Sequence, residues 1–129
     1  MDVIIELSKD RLFYAVPQHD YNIGFFGCGK TIEDAKADLY NSYCEAKEFS
    51  PQLPDDVKFE YSYDLSCFIK HFGKRYSFAF LNKLTGISEK MLMRYATGKS
   101  IPTEATVRKI AQRINVFKSE LEEYNLATV

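Results

Sequence analysis

Over the first part of the chain, hydrophobic residues recur at every second position. Val3, Ile5 and Leu7 alternate with Ile4 and Glu6, which predicts a first strand. Lys9, Asp10 and Arg11 make a polar turn, and residues 12–16 (LFYAV) resume as a second, more apolar strand that Pro17 ends. Residues 18–22 read as loop. Ile23, Gly24, Phe25 and Phe26 then predict a short third strand, stopped by Gly27 and Gly29. Beyond it the period changes to that of a helix. Thr31 is placed as N-cap, with Asp34 three residues on and Glu33 favourable to the helix dipole. Ile32, Ala35, Leu39, Tyr43 and Ala46 share one face. Pro51 and Pro54 stop this helix near Phe49. Val57, Phe59, Tyr61 and Tyr63 alternate with Lys58, Glu60 and Ser62, giving a fourth strand. The order is βββαβ, for which one helix over one side of a small sheet is the economical packing.

From residue 65 onward the pattern is helical throughout. Phe68, Ile69 and Phe72 predict a first helix over residues 66–74, ending near Gly73. Ser77 caps a second, with Phe78, Leu81 and Leu84 inward. Thr85, Gly86, Ile87 and Ser88 read as a tight turn: Gly86 accepts positive φ, Ile87 points to the core and Ser88 caps the next helix. The third helix covers residues 89–96, burying Leu92 and Tyr95 and ending at Gly98. Pro102 and Thr103 start a fourth, with Val107, Ile110, Ala111 and Ile114 inward and Asn115 as a left-handed cap. Residues 117–124 predict a short fifth, contributing Leu121. The expected fold class is α+β: a βββαβ domain over residues 1–64 and an all-α, five-helix domain over residues 65–129.

Charge sharpens this division. Residues 1–65 hold 13 Asp and Glu against 6 Lys and Arg, a net of −7; residues 66–129 hold 5 against 11, a net of +6. The overall −1 conceals two halves suited to partners of opposite sign. A basic half fits a phosphate backbone, whose neutralisation releases counterions. Alternatively, both charge sets are ordinary solvated faces. No apolar run approaches the roughly 18–20 residues that span a bilayer, and MDVIIELSKD does not resemble a signal peptide. Three cysteines, Cys28, Cys44 and Cys67, are an odd, widely spaced set that fits a reducing compartment. A soluble, cytoplasmic protein is expected.

Catalytic chemistry finds little support. His19 and His71 have no partner at metal-ligand spacing, and the cysteines form no CxxC, so neither metal nor cofactor is expected. Residues 24–31 (GFFGCGKT) satisfy the bare pattern GxxxxGK[ST]. A P-loop, however, joins a parallel α/β sheet to a helix and needs an acidic metal-binding strand downstream. A domain of this size has no room for that, so the segment reads as a strand-to-helix turn. Two-metal phosphodiester cleavage needs converging carboxylates. Glu6 stands on a strand, but Glu33, Asp34 and Asp38 lie at a helix start and its exposed flank. The expectation is a protein that is not an enzyme.

Two resemblances follow from these motifs. Tyr14-Ala15-Val16-Pro17, residues 24–31 and Ile32-Glu33-Asp34-Ala35 together resemble the N-terminal domain of HicB-type antitoxins, with Phe25 in place of the usual cysteine. That resemblance implies a partial RNase H-like fold that grips a small basic ribonuclease toxin, HicA. Residues 86–102 (GISEKMLMRYATGKSIP) resemble the Cro/C1-type helix-turn-helix pattern, and residues 103–121 continue in its register. Asn82 stands where the family has a small alanine, and Ala96 where glutamate is common.

The helix-turn-helix resemblance implies that the third helix of this half enters the major groove. Ser88, Glu89, Lys90, Met93 and Arg94 then face DNA. Arg94 matches guanine O6 and N7 bidentately, and Lys90 is a second guanine candidate. Glu89 either accepts from cytosine N4 or offsets the helix dipole. Ser77, Lys99 and Ser100 are placed for phosphates, with Arg75 adding another, while Arg108, Lys109 and Arg113 read as surface charges. On the acidic half, Glu33, Asp38 and Glu45, with Lys36 among them, mark the helix flank expected to meet the toxin. The combined reading is an antitoxin that represses its own operon, with operator DNA and a HicA-like toxin as partners and a homodimer or higher oligomer as its state. The alternative is a stand-alone repressor whose N-terminal domain dimerises or senses a small ligand.

Overall fold

The computed structural model of the chain describes residues 1–19, 21 and 23–128. Asp20 and Asn22, part of the expected loop, lie outside the described residues. The structure is mixed α+β, with a four-stranded sheet and five helices among the described residues. Two compact units divide it, Met1–Phe68 and Ile69–Val129. No charged residue stands between positions 65 and 68, so the units inherit the net charges of −7 and +6 unchanged.

In the first unit, β1 (Asp2–Leu7), β2 (Phe13–Gln18), β3 (Gly27–Gly29) and β4 (Glu60–Tyr63) form a sheet of order β3-β2-β1-β4. β1 pairs antiparallel with β2 and parallel with β4, and β2 pairs antiparallel with β3. The register Val3↔Pro17 and Ile5↔Ala15 puts Val3, Ile5 and Ala15 on one face, where all three are fully buried. Helix α1 (Ile32–Phe49) covers that face through Ala35, Leu39 and Tyr43. Thr31 caps it as expected, its side chain accepting from the Asp34 amide at 3.0 Å.

Two expectations here need correction. The third strand is not at residues 23–26. The ladder runs through Gly27, Cys28 and Gly29, the residues expected to end it. The reason is the approach of α1: a Cβ on Gly27 would lie 2.1 Å from the Ala35 carbonyl oxygen, and one on Gly29 2.5 Å from the Asp34 Cβ. Only glycine lets helix backbone and strand backbone come this close. Phe25 instead leaves the sheet and packs in the core, stacked on His19 and edge-on to Tyr43. Secondly, β4 is confined to Glu60–Tyr63, while Val57 and Phe59 pack against the core before the ladder begins. α1 stops at Phe49 ahead of Pro51, as expected, and the stretch after it also packs. Leu53 is a buried plug, Tyr43 donates its hydroxyl proton to the Pro54 carbonyl, and Lys47 pairs with Asp55.

The second unit is helical. Helix α2 (Leu65–Arg75) starts within the first unit, where Asp64 accepts from the Cys67 amide at 3.0 Å. It ends at Arg75, within one residue of the expected 66–74, and a Cβ on Gly73 would lie 3.3 Å from the Phe78 ring. α3 (Phe78–Thr85), α4 (Glu89–Ala96) and α5 (Glu104–Glu123) follow, α3 packing on both others. Four helices therefore follow β4, not five. The predicted break at Asn115 and Val116 is absent: Asn115 keeps negative φ, and α5 continues without a Gly or Pro to interrupt it. On α5 only Ile110 is fully buried. Val107 and Ala111, expected inward, are exposed, as is Leu121.

Candidate nucleic-acid interface

The turn between α3 and α4 is closed by a set of short-range bonds. Ser77 starts α3, its hydroxyl accepting from the Phe80 amide at 3.0 Å. Gly86 ends it in the left-handed conformation, φ 76°, and its amide donates to the Asn82 carbonyl. Thr85, buried, donates its hydroxyl proton to the Leu81 carbonyl at 2.7 Å and accepts from the Ile87 amide at 3.1 Å. The Asn82 side chain donates to the Ile87 carbonyl at 2.7 Å and so bridges the turn. Ser88 caps α4, accepting from the Met91 amide at 3.3 Å.

A further latch comes from α5. The Arg113 guanidinium donates from Nε to the Leu84 carbonyl at 3.0 Å and from Nη2 to the Lys83 carbonyl at 3.1 Å. These carbonyls belong to the last turn of α3, where the helix dipole is negative and backbone acceptors lack intrahelical donors. Arg113 is exposed, as expected of a surface charge, but also serves as a structural cap supplied across about 30 residues of sequence. No local pattern marks it, although a basic residue opposite a Gly-terminated helix is the type such a position calls for.

On α4, Leu92 and Ala96 are buried and Met91 and Tyr95 half-buried. Glu89, Lys90, Met93 and Arg94 are exposed and, at helical spacing, form one continuous face away from the core. Thr97 ends the helix and Gly98, φ 75°, reverses the chain. The reversal brings Lys99 and Ser100 back to Arg94: both amides donate to the Arg94 carbonyl, at 3.0 and 3.3 Å, and Arg94 Nε donates to the Ser100 hydroxyl at 2.9 Å. Arg94, Lys99 and Ser100, assigned to DNA separately, thus meet at the end of α4. Ser77 and Ser88 use a lone pair for capping and keep the hydroxyl proton for an outside acceptor.

On the first unit, Glu33 and Glu45 are exposed on α1. Asp38 is also exposed, but its carboxylate accepts from the Cys28 amide at 2.9 Å and so tethers β3 to the helix. Lys36 is drawn off the acidic flank: it donates to the Tyr63 hydroxyl at 3.1 Å and lies 4.4 Å from the Tyr61 ring centroid. The Tyr63 bond raises the Lys36 pKa further. Glu6 is raised as well, first by burial and then by the nearby Asp64 carboxylate. Of the three glycines in residues 24–31, Gly27 and Gly29 lie against α1, so their role in this structure is helix packing, while Gly24 has open space around it.

Compared with known proteins, the chain matches no family model, no curated sequence and no solved structure. No helix among the described residues is long and apolar enough to cross a membrane.

Proposed function

We propose that the chain is a DNA-binding repressor whose helix-turn-helix comprises α3 and α4, and that its acidic N-terminal unit is an antitoxin domain. The observation that carries the DNA reading is the exposed face of α4, with Arg94 at its end and serine caps at the starts of α3 and α4. A capped turn of this kind holds the second helix rigidly enough to read base edges, while phosphate contacts set its register. The net of +6 on this unit supplies the sequence-independent attraction. A single module reads few base pairs, so the repressor acts as a homodimer or higher oligomer.

The antitoxin half of the proposal rests on the HicB-like motifs and the βββαβ order of the first unit, together with its net of −7. A ribonuclease toxin must present positive charge to RNA, and an acidic inhibitor complements that surface. Glu33 and Glu45 are the residues we assign to this contact, with Asp38 divided between it and the tether to β3. The alternative, a sensor of small ligands, has one feature in its favour: an open groove of about 620 Å³ lined by residues including Met1, His19, Tyr21, Val57 and Lys58. Ligand sites usually enclose most of their ligand, which an open groove does not.

The test has two arms. Selection of duplex DNA from a random library should return one enriched sequence with two related half-sites. Co-expression with the product of an adjacent small basic reading frame should give a copurifying complex. Absence of an enriched sequence removes the repressor reading. Absence of such a frame and of any copurifying basic partner removes the antitoxin reading and leaves the stand-alone repressor.

A further inference from the structure

Arginine is a demanding base reader because its long side chain must be immobilised before its donors face one base edge. The end of α4 contains a device that meets this demand. Gly98, with φ 75°, folds the chain back, and the Ser100 and Lys99 amides both close on the Arg94 carbonyl. Ser100 is half-buried by this fold-back, and its hydroxyl receives Arg94 Nε at 2.9 Å. Backbone and side chain of Ser100 are therefore both tied to Arg94, so the hydroxyl has a fixed origin from which to hold the guanidinium.

From this geometry we infer that Ser100 is a positioning residue that sets the base preference of Arg94. With Nε engaged, the guanidinium offers the edge formed by Nη1 and Nη2, a pair of parallel donors that matches guanine O6 and N7. The Ser100 oxygen accepts from Nε and keeps its own proton, which it donates to a backbone phosphate. One hydroxyl then links the phosphate that sets register to the arginine that reads sequence. This goes further than counting Ser100 as a phosphate contact, since such a contact alone carries no sequence information. The inference rests on the DNA-binding reading above.

The experiment uses the full chain and the duplex returned by selection, with variants of that duplex at each base pair. Ser100→Ala should reduce discrimination at one guanine position by about three- to tenfold, the range of a single hydrogen bond, and leave discrimination at other positions unchanged. Ser100→Thr, which keeps the hydroxyl, should restore the guanine preference. In an Arg94→Ala background, Ser100→Ala should change affinity equally for all duplexes. Matching circular dichroism melts keep a folding defect from being mistaken for the effect. A uniform loss of affinity in Ser100→Ala, with guanine preference intact, would overturn the positioning role while leaving the repressor reading in place. Failure of the unsubstituted chain to enrich any sequence would remove both.

Discussion

The two units of this chain are held by different kinds of interaction. The first relies on a layered apolar core: Val3, Ile5, Ala15, Leu39 and Leu53 are essentially inaccessible, and α1 lies directly against glycine backbone. The second fully buries fewer large side chains, chiefly Ile69, Leu81, Leu92 and Ile110, and closes its turns with hydrogen bonds donated by Asn82, Thr85 and Arg113 and accepted by Ser88. Area burial is non-directional, so the first unit gains stability without fixing any one surface side chain. Hydrogen bonds are directional, and those of Asn82, Thr85, Ser88 and Arg113 bear on the end of α3 and the start of α4. Orientation is thus invested where a helix must present a chosen face.

The comparison can be broken most severely within residues 24–31. Gly27→Ala should destabilise the first unit by about 3 kcal/mol, because the added methyl meets helix backbone that has no room to move. Gly24→Ala places its methyl where no atom lies within 4 Å and should be nearly neutral. Chemical denaturation followed by tyrosine fluorescence measures both. Equal effects would mean that the close packing of α1 on β3 is not what these glycines serve.

A smaller effect tests the polar closure of the second unit. Arg113→Met keeps much of the aliphatic stem but removes both donors to the end of α3. It should cost about 1–2 kcal/mol, the scale of charge-assisted hydrogen bonds at an accessible site. The loss should appear in thermal melts of the full chain, accompanied by weaker DNA binding. An unchanged melt would show that the turn is held by apolar packing, and the contrast between the units would lapse.

These residues also show what the sequence makes legible. Thr31, Ser77, Gly86 and Ser88 are legible because each acts on backbone within a few residues of itself, and cap chemistry depends on that local geometry alone. The α4 face is readable from the period of Leu92 and Tyr95, although Ala96 is buried more fully than Tyr95. β3 is not legible, because its position is decided by where α1 touches the sheet, a contact that hydrophobicity at Phe25 and Phe26 does not report. The continuity of α5 was missed because Asn115 tolerates a helix whenever no neighbour offers its side chain a better use. Arg113, Leu53 and the Arg94–Ser100 pair depend on chain reversals, and spacing along the sequence carries no trace of them.

The smallest expected effect concerns Glu6 in the first unit. Burial raises its pKa, with Asp64 adding to the shift, so the folded state binds its proton more tightly than the unfolded chain. Stability therefore falls as pH rises from the ordinary carboxylate value through the raised one, and the full cost is present above it. Glu6→Gln should stabilise the chain slightly at neutral pH, with the difference vanishing in acid below the ordinary value. A gain that is the same at every pH would point to packing instead of charge.

The most direct test of the central claim compares Arg94→Ala with Lys99→Ala on selected and on random duplex DNA over a range of salt. Arg94→Ala should cost about 1–3 kcal/mol on the selected sequence and relax preference at one base pair. Lys99→Ala should weaken binding to both duplexes alike and reduce the salt slope by about one. If Arg94→Ala weakens selected and random DNA equally, α4 attracts phosphates without reading bases, and the assignment of this face as a recognition surface is wrong.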